Sequence, residues 1–226
     1  PDQISNTLIK ACADSLSYPL SIIFRKSLET GCFPKIWKTA NVSPIFKKKG
    51  DKNNPQNYRP ISLLSNFSKI FERLICDQLQ NYLLTNNLLN RKNSGFKKGD
   101  SATNQLIFLV DKINSGFEMK YNTAMIFLDI KSAFDRVWHQ GLIYKLECVG
   151  VKGSLLSWMS NYLSNRNQKV VISGASSSLK AITAGVPQGS ILGPILFLIY
   201  INDFGATLTS DSYLFADDSS LLHQYP

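Results

Sequence analysis

Apolar residues recur at helical spacing at Ile4, Leu8 and Ile9, and again at Leu16, Leu20, Ile23, Phe24 and Leu28, which predicts two helices before residue 30. Pro19 is expected to begin or kink the second helix, and Gly31 to end it. Trp37 to Phe46 reads as a strand through Ala40, Val42 and Ile45, followed by a basic exit (Lys47, Lys48, Lys49) and a polar turn to Gln56. Tyr58 to Leu64 is a second short strand. Helical spacing returns through Ile70, Phe71, Leu74, Leu79, Tyr82 and Leu83, and a further helix spans Gln105 to Phe117, with Ser101 or Thr103 as its cap. Thr123 to Ile130 is a buried strand that ends on Asp129. The stretch 140–163 is helical with a break at 150–153, and 168–173 pairs with 178–184 around Gly174. The glycine-rich turn 184–190 leads into an apolar helix from Ile191 to about Phe204, with Ser190 positioned to cap it. Two short buried strands then flank Asp217-Asp218, which sit at the tip of the hairpin.

Composition adds a core and a partner. Hydrophobic residues make up 44% of the 226, ample for one large domain or two interleaved subdomains. The net charge of +9 points to a polyanion, either nucleic acid or a membrane surface. The excess is local: residues 47–100 carry eleven Lys/Arg against four Asp/Glu, a net of 11 − 4 = +7. The four cysteines, at 12, 32, 76 and 148, have neither Cys-x-x-Cys spacing nor a nearby His, so they read as reduced thiols of an intracellular protein. No signal peptide is visible, and the longest apolar run, Ile191 to Ile201, is too short to span a bilayer. Without an initiator Met, the chain reads as cut from a longer one.

The chemistry gathers on three acids. A carboxylate at the end of a buried strand, as at Asp129, is costly unless it caps a helix or binds a cation. Asp217 and Asp218 repel each other unless they are solvated in a turn or share a cation. A hard divalent ion is the functional reading of both places. Nucleotide addition needs such a set, because two ions roughly 3.5–4 Å apart stabilise the attacking and the leaving oxygen.

Three segments in order resemble the palm motifs of reverse transcriptases, more narrowly those of non-LTR (LINE-type) retrotransposons. They are Phe127 to Asp135 (FLDIKSAFD), Gly185 to Pro194 (GVPQGSILGP) and Phe215 to Asp218 (FADD). The upstream stretches Gly31 to Lys38, Asn57 to Leu64 and Ser94 to Gly99 look like fingers motifs of the same family, so the resemblance covers essentially the whole chain. It implies an RNA-directed DNA polymerase in which Asp129 and Asp217 are metal ligands, Asp218 supports them and Ile130 offers its backbone. The cofactor implied is Mg²⁺, as two ions, with Mn²⁺ as a substitute. Phe134 falls where the family has an aromatic gate against a ribose 2′-hydroxyl. A core aromatic is the plain alternative for that ring.

The resemblance further implies that Arg59 and Lys69 hold the triphosphate, although a solvated helix face accounts for Lys69 equally simply. Gln188 and Gly189 would line the nucleotide and template. Lys47, Lys48, Lys49, Lys52, Lys92, Lys97 and Lys98 would meet template or primer phosphates. Asp135, Trp138 and His139 match the pattern without a chemical role.

The implied fold is α+β, a right-hand polymerase whose palm is an antiparallel sheet backed by helices with the fingers interleaved. The segments would be an N-terminal helical extension (1–40), fingers (41–122), palm (123–164), a fingers hairpin (165–189) and the rest of the palm (190–226). The implied partners are an RNA template, a DNA primer, dNTPs, and a thumb and endonuclease on the parent polyprotein, with no membrane involved. Family resemblance places such proteins in nucleus and cytoplasm. Two rivals remain at this point: a non-catalytic nucleic-acid-binding relic, and an RNA-dependent RNA polymerase of the same palm architecture.

Overall fold

The computed structural model describes all residues except 1, 3 and 98. Helix α1 (Asn6–Ala11) is capped by the Ser5 side chain, and α2 (Ala13–Thr30) ends on Gly31 with φ +64°, the left-handed stop expected there. Pro19 does not begin α2. The helix starts six residues earlier and carries the proline inside, offset by Leu20, Phe24 and Leu28 packing on the core. Trp37 and Lys38 belong to a 3₁₀ turn (Lys35–Lys38) that buries both side chains, so the predicted strand starts only at β1 (Thr39–Phe46). There follow β2 (Tyr58–Leu63), α3 (Asn66–Thr85), α4 (Ala102–Glu118), β3 (Asn122–Asp129), α5 (His139–Cys148) and α6 (Gly153–Leu163). The remaining elements are β4 (Arg166–Ile172), β5 (Ala175–Ser176), β6 (Lys180–Ile182), α7 (Gly193–Ile201), β7 (Asp211–Phe215) and β8 (Asp218–Tyr225).

Two sheets result. One is mixed: β1 lies between antiparallel β2 and parallel β4, and β4 also pairs with β5 and β6. The other is antiparallel, with strand order β3-β8-β7. The main core lies among α2, α3, α5, α6 and α7, around Phe71, Leu142, Leu146, Trp158 and Tyr162. Helix α7 is apolar on every side because it runs through that core. A second cluster, Leu109, Tyr213 and Leu222, fastens α4 to the antiparallel sheet.

β3 is not the buried strand that its composition suggests. Among the described residues its one partner is β8, and most of its side chains are open, Phe127 being 75% exposed. An apolar run cannot by itself tell a covered strand from an edge.

Candidate active site

The hairpin comes first. Phe215 pairs with Asp218, so the two-residue turn is Ala216-Asp217, one step earlier than predicted. Ala216 takes φ +59°, a conformation that short hairpin turns demand and that alanine resists. Asp218 thereby becomes the first residue of β8 rather than a turn residue. Its register partner on β3 is Asp129. Directly opposed residues of an antiparallel pair point to one face, with Cβ atoms about 4.5–5.5 Å apart. Four residues back along that face, the pair Met125 and Leu222 packs on α4. The sheet therefore anchors an acidic end by an apolar one.

Asp129 and Asp218 are exposed, and Asp217 is half-buried beside them. Like charges placed opposite each other destabilise a ladder. Three carboxylates and the Ile130 backbone form an oxygen-only donor set, which suits a hard cation. As placed, the side chains have not converged: among the described residues, no three His, Cys, Asp or Glu side chains are grouped to hold a metal ion.

A strip from the 92–96 loop clamps the hairpin. The Leu214 amide donates to the Lys92 carbonyl and the Ser94 amide to the Leu214 carbonyl, both at 2.9 Å. Gly95 lies so close to the turn that a Cβ there would sit 2.1 Å from the Ala216 nitrogen. Sequence reading assigned this loop to nucleic-acid contact and missed the clamp.

The segment after Asp129 and the glycine-rich turn meet through their backbones. After Ser132 at φ +54°, residues Ala133–Arg136 form a 3₁₀ turn. The Val186 amide donates to the Phe134 carbonyl and the Gly185 amide to the Val137 carbonyl, each at 2.8 Å. His139 Nε2 bonds the Gly185 carbonyl at 2.8 Å and so ties the same two segments together. Phe134 is half-buried, stacked on Phe197 at 4.5 Å and edge-on to Phe96 at 5.8 Å. The Gln188 amide donates to Asp135, and the Gln188 carbonyl accepts from the Ser62 amide of β2 at 2.7 Å. A Cβ at Gly189 would meet the Ser62 carbonyl at 2.7 Å, so the glycine permits this close approach.

Glu72, fully buried on α3, fixes the start of α7. It accepts from Ser68 Oγ (2.8 Å) and from the amides of Ile191 (2.8 Å) and Leu192 (3.3 Å). Burial pushes its carboxyl above the usual range, and these bonds together with the Arg166 charge oppose that rise. The N-cap position of α7 is Leu192 rather than Ser190, because the regular helix starts only at Gly193, yet Ser190 Oγ still accepts from the first-turn amide of Gly193 at 2.9 Å.

The basic residues divide. Arg59 is exposed on β2 and Lys69 half-buried on α3, and neither has an acidic partner among the described residues. Lys47, Lys48 and Lys49 are exposed beyond β1, with the Lys47 ammonium on the Gln56 carbonyl at 3.0 Å. The Lys97 ammonium turns inward onto the Asn90 carbonyl, and desolvation lowers its pKa, so it does not present a free charge outward. Lys98 lies outside the described residues. Lys92 pairs with Asp211, which Lys112 also approaches. Two further cations are internal. Lys38 donates to the Asn161 and Ser164 carbonyls and to Asn161 Oδ1. Arg166 lies over the Tyr162 ring and donates to the Tyr162 carbonyl.

Comparison with known proteins identifies the family and the fold. The profile of the family described as "Reverse transcriptase (RNA-dependent DNA polymerase)" matches residues 46–225. The chain is 35% identical over 202 residues to the probable RNA-directed DNA polymerase from transposon BS of Drosophila melanogaster, covering 89% of this chain and 22% of that protein. It is 36% identical, with the same coverage, to the RNA-directed DNA polymerase from mobile element jockey of the same species. The chain thus spans about a fifth of the length of these relatives. Apo telomerase from Candida tropicalis shares the fold, with a TM-score of 0.59 at 12% identity over 92% of this chain and 44% of that one. Telomerase from Candida albicans, solved with a fragment of telomeric RNA, gives a TM-score of 0.59 at 14% identity over 97% of this chain and 43% of that one. The α+β arrangement is therefore a right-hand polymerase fold, and the chain belongs to the reverse transcriptase (RNA-dependent DNA polymerase) family as a domain of the non-LTR retrotransposon type.

Proposed function

We propose that this domain adds dNTPs to a DNA primer on an RNA template, with its catalytic centre at the acidic end of the β3-β8-β7 sheet. The observation that carries the reading is the register pairing of Asp129 with Asp218, with Asp217 in the adjoining turn. Two strands thereby bring carboxylates to one end of the sheet, from which their side chains would have to converge on a pair of divalent ions. Asp129, Asp217 and the Ile130 carbonyl would hold Mg²⁺, with Mn²⁺ as a substitute, and Asp218 would support them. When bound, the ions would polarise the reacting phosphate and neutralise the charge that builds on it.

The remaining roles follow from chemistry and position. Arg59 and Lys69 have no acidic partner among the described residues and are suited to the triphosphate, Arg through its planar fork and Lys as a point charge. Phe134 is held by Phe197 and Phe96, and a ring so fixed excludes a 2′-hydroxyl more firmly than a mobile one. Gln188 and Gly189 line the nucleotide side. Lys47, Lys48 and Lys49 meet backbone phosphates. In this reading the antiparallel sheet is the palm and the mixed sheet belongs to the fingers. Thumb and endonuclease would come from the parent protein.

The test is primer extension by the parent protein on an RNA template with dNTPs and Mg²⁺. The double substitution Asp217→Ala/Asp218→Ala should abolish it, and undiminished extension would refute the metal assignment. Strong salt-dependent RNA binding without any extension by the wild type would favour a non-catalytic relic. Preference for rNTPs would favour an RNA polymerase. Phe134→Val should increase rNTP incorporation, and unchanged sugar selectivity would remove the gate.

A further inference from the structure

Gln188 stands in the turn between β6 and α7, and its side-chain amide donates to Asp135 Oδ1 at 2.9 Å. Asp135 makes no ion pair among the described residues, so its carboxylate is not engaged by a neighbouring cation there. The two segments are already registered by the Val186–Phe134, Gly185–Val137 and His139–Gly185 bonds. Gly185, at φ +90°, lies against the Asp135 backbone, where an added Cβ would meet the Asp135 Cα at 2.8 Å. The joint is therefore built by backbone, and the side-chain bond is laid on top of it.

A carboxylate only accepts hydrogen bonds, whereas an amide has a donating and an accepting end. Asp135 therefore selects the –NH₂ end of Gln188 and leaves its carbonyl Oε1 directed elsewhere. Without Asp135 the terminal torsion of Gln188 is broad and roughly two-fold, so the amide can present either end.

We propose that Asp135 is a positioning residue of the nucleotide site: it fixes the orientation of the Gln188 amide, so that the carbonyl faces the incoming nucleotide as an acceptor. The inference rests on the polymerase reading above. Asp135 stands immediately after Phe134, so one short turn sets both the ring and, through the carboxylate, the amide. Asp135 is exposed and belongs to neither apolar cluster, so its loss should leave the fold intact.

The experiment measures KM for dNTP and kcat in primer extension by the parent protein, with the thermal midpoint alongside. The proteins compared are wild type, Asp135→Ala, Asp135→Asn, Gln188→Ala and the double variant Asp135→Ala/Gln188→Ala. Asp135→Ala should raise KM about tenfold, the worth of one hydrogen bond to a charged acceptor, with kcat within about twofold. Asp135→Asn keeps an accepting oxygen but adds a donating –NH₂, so it no longer selects one end of Gln188 and should recover only part of the loss. In the Gln188→Ala background, Asp135→Ala should change KM by less than about twofold, since the two residues act as one. An unchanged KM in Asp135→Ala, a wild-type KM in Asp135→Asn, or additive effects in the double variant overturns the assignment. If the wild type extends and only these relations fail, the polymerase reading stands; a wild type that never extends overturns both.

Discussion

The clamp on the hairpin gives the sharpest test of how the acidic site is held. Gly95→Ala adds one methyl group. That methyl would lie 2.1 Å from the Ala216 nitrogen, 2.8 Å from its Cα and 2.9 Å from the Phe215 carbonyl carbon. All three are backbone atoms, so no rotamer change relieves the contact. The 92–96 loop must withdraw from β7, or the turn carrying Asp217 must move. Withdrawal breaks the Leu214–Lys92 and Ser94–Leu214 bonds at a residue with no exposed surface. Each lost bond costs about 1 kcal/mol, and each buried amide or carbonyl left unpaired costs about 1–3 kcal/mol more. With the Leu214 amide and carbonyl both left unpaired the total is roughly 4–8 kcal/mol, or a fall in midpoint of about 10 °C or more for a chain of this size. Gly99→Ala is the control. That glycine has φ +84° but nothing within 4 Å, so only backbone strain of about 1 kcal/mol applies. The assay is thermal or urea unfolding of both variants, with hydrogen exchange at Leu214. Gly95→Ala should be clearly the worse and should expose the Leu214 amide. Equal midpoints, or unchanged exchange at Leu214, would show that the clamp is not what holds the turn.

Three further outcomes follow from single contacts. Glu72→Ala removes the acceptor of the Ile191 and Leu192 amides just ahead of α7 and of Ser68, and leaves Arg166 without its opposing charge, so about 3–5 kcal/mol should be lost by urea unfolding. Ala216→Gly should be tolerated within about 1 kcal/mol, while Ala216→Val should cost about 2 kcal/mol or more, because a β-branched residue resists φ +59°; equal unfolding midpoints for the two would contradict the turn geometry. The Lys92 ammonium bonded to Asp211, reinforced by the charge of Lys112, holds that carboxyl below its ordinary pKa. A depressed folded pKa stabilises above the unfolded value and is lost as pH falls through the folded one. The stability gap between wild type and Asp211→Asn, about 0.5–1 kcal/mol at neutral pH for so exposed a pair, should therefore shrink on acidification below about pH 4.

What was legible in the sequence was local. Cap residues, glycine stops and helical spacing concern residues within four positions of one another, so Ser101 and Gly31 sit where their types predict. The strand ending on Asp129 and the acidic hairpin were legible for the same reason, although the turn falls one residue early because the ladder extends to Asp218. What could not be read was every relation that joins distant segments. Gly95 lies against Ala216, and Glu72 lies under Ile191, yet neither pairing leaves a trace in spacing along the chain. Charge misled in the same way. Lys38 and Arg166 count toward the net of +9 but are buried, and Lys97 turns its ammonium to a carbonyl, so they add little to the outward field. The basic surface that remains is narrower than the composition implies, and it includes Arg59 and Lys47 to Lys49 on the same mixed sheet whose β2 strand carries Ser62 to the Gln188 turn. That cationic surface is thus joined by a backbone bond to the turn that packs on the segment following Asp129. That arrangement, more than the total charge, argues for a polymerase over a general nucleic-acid binder.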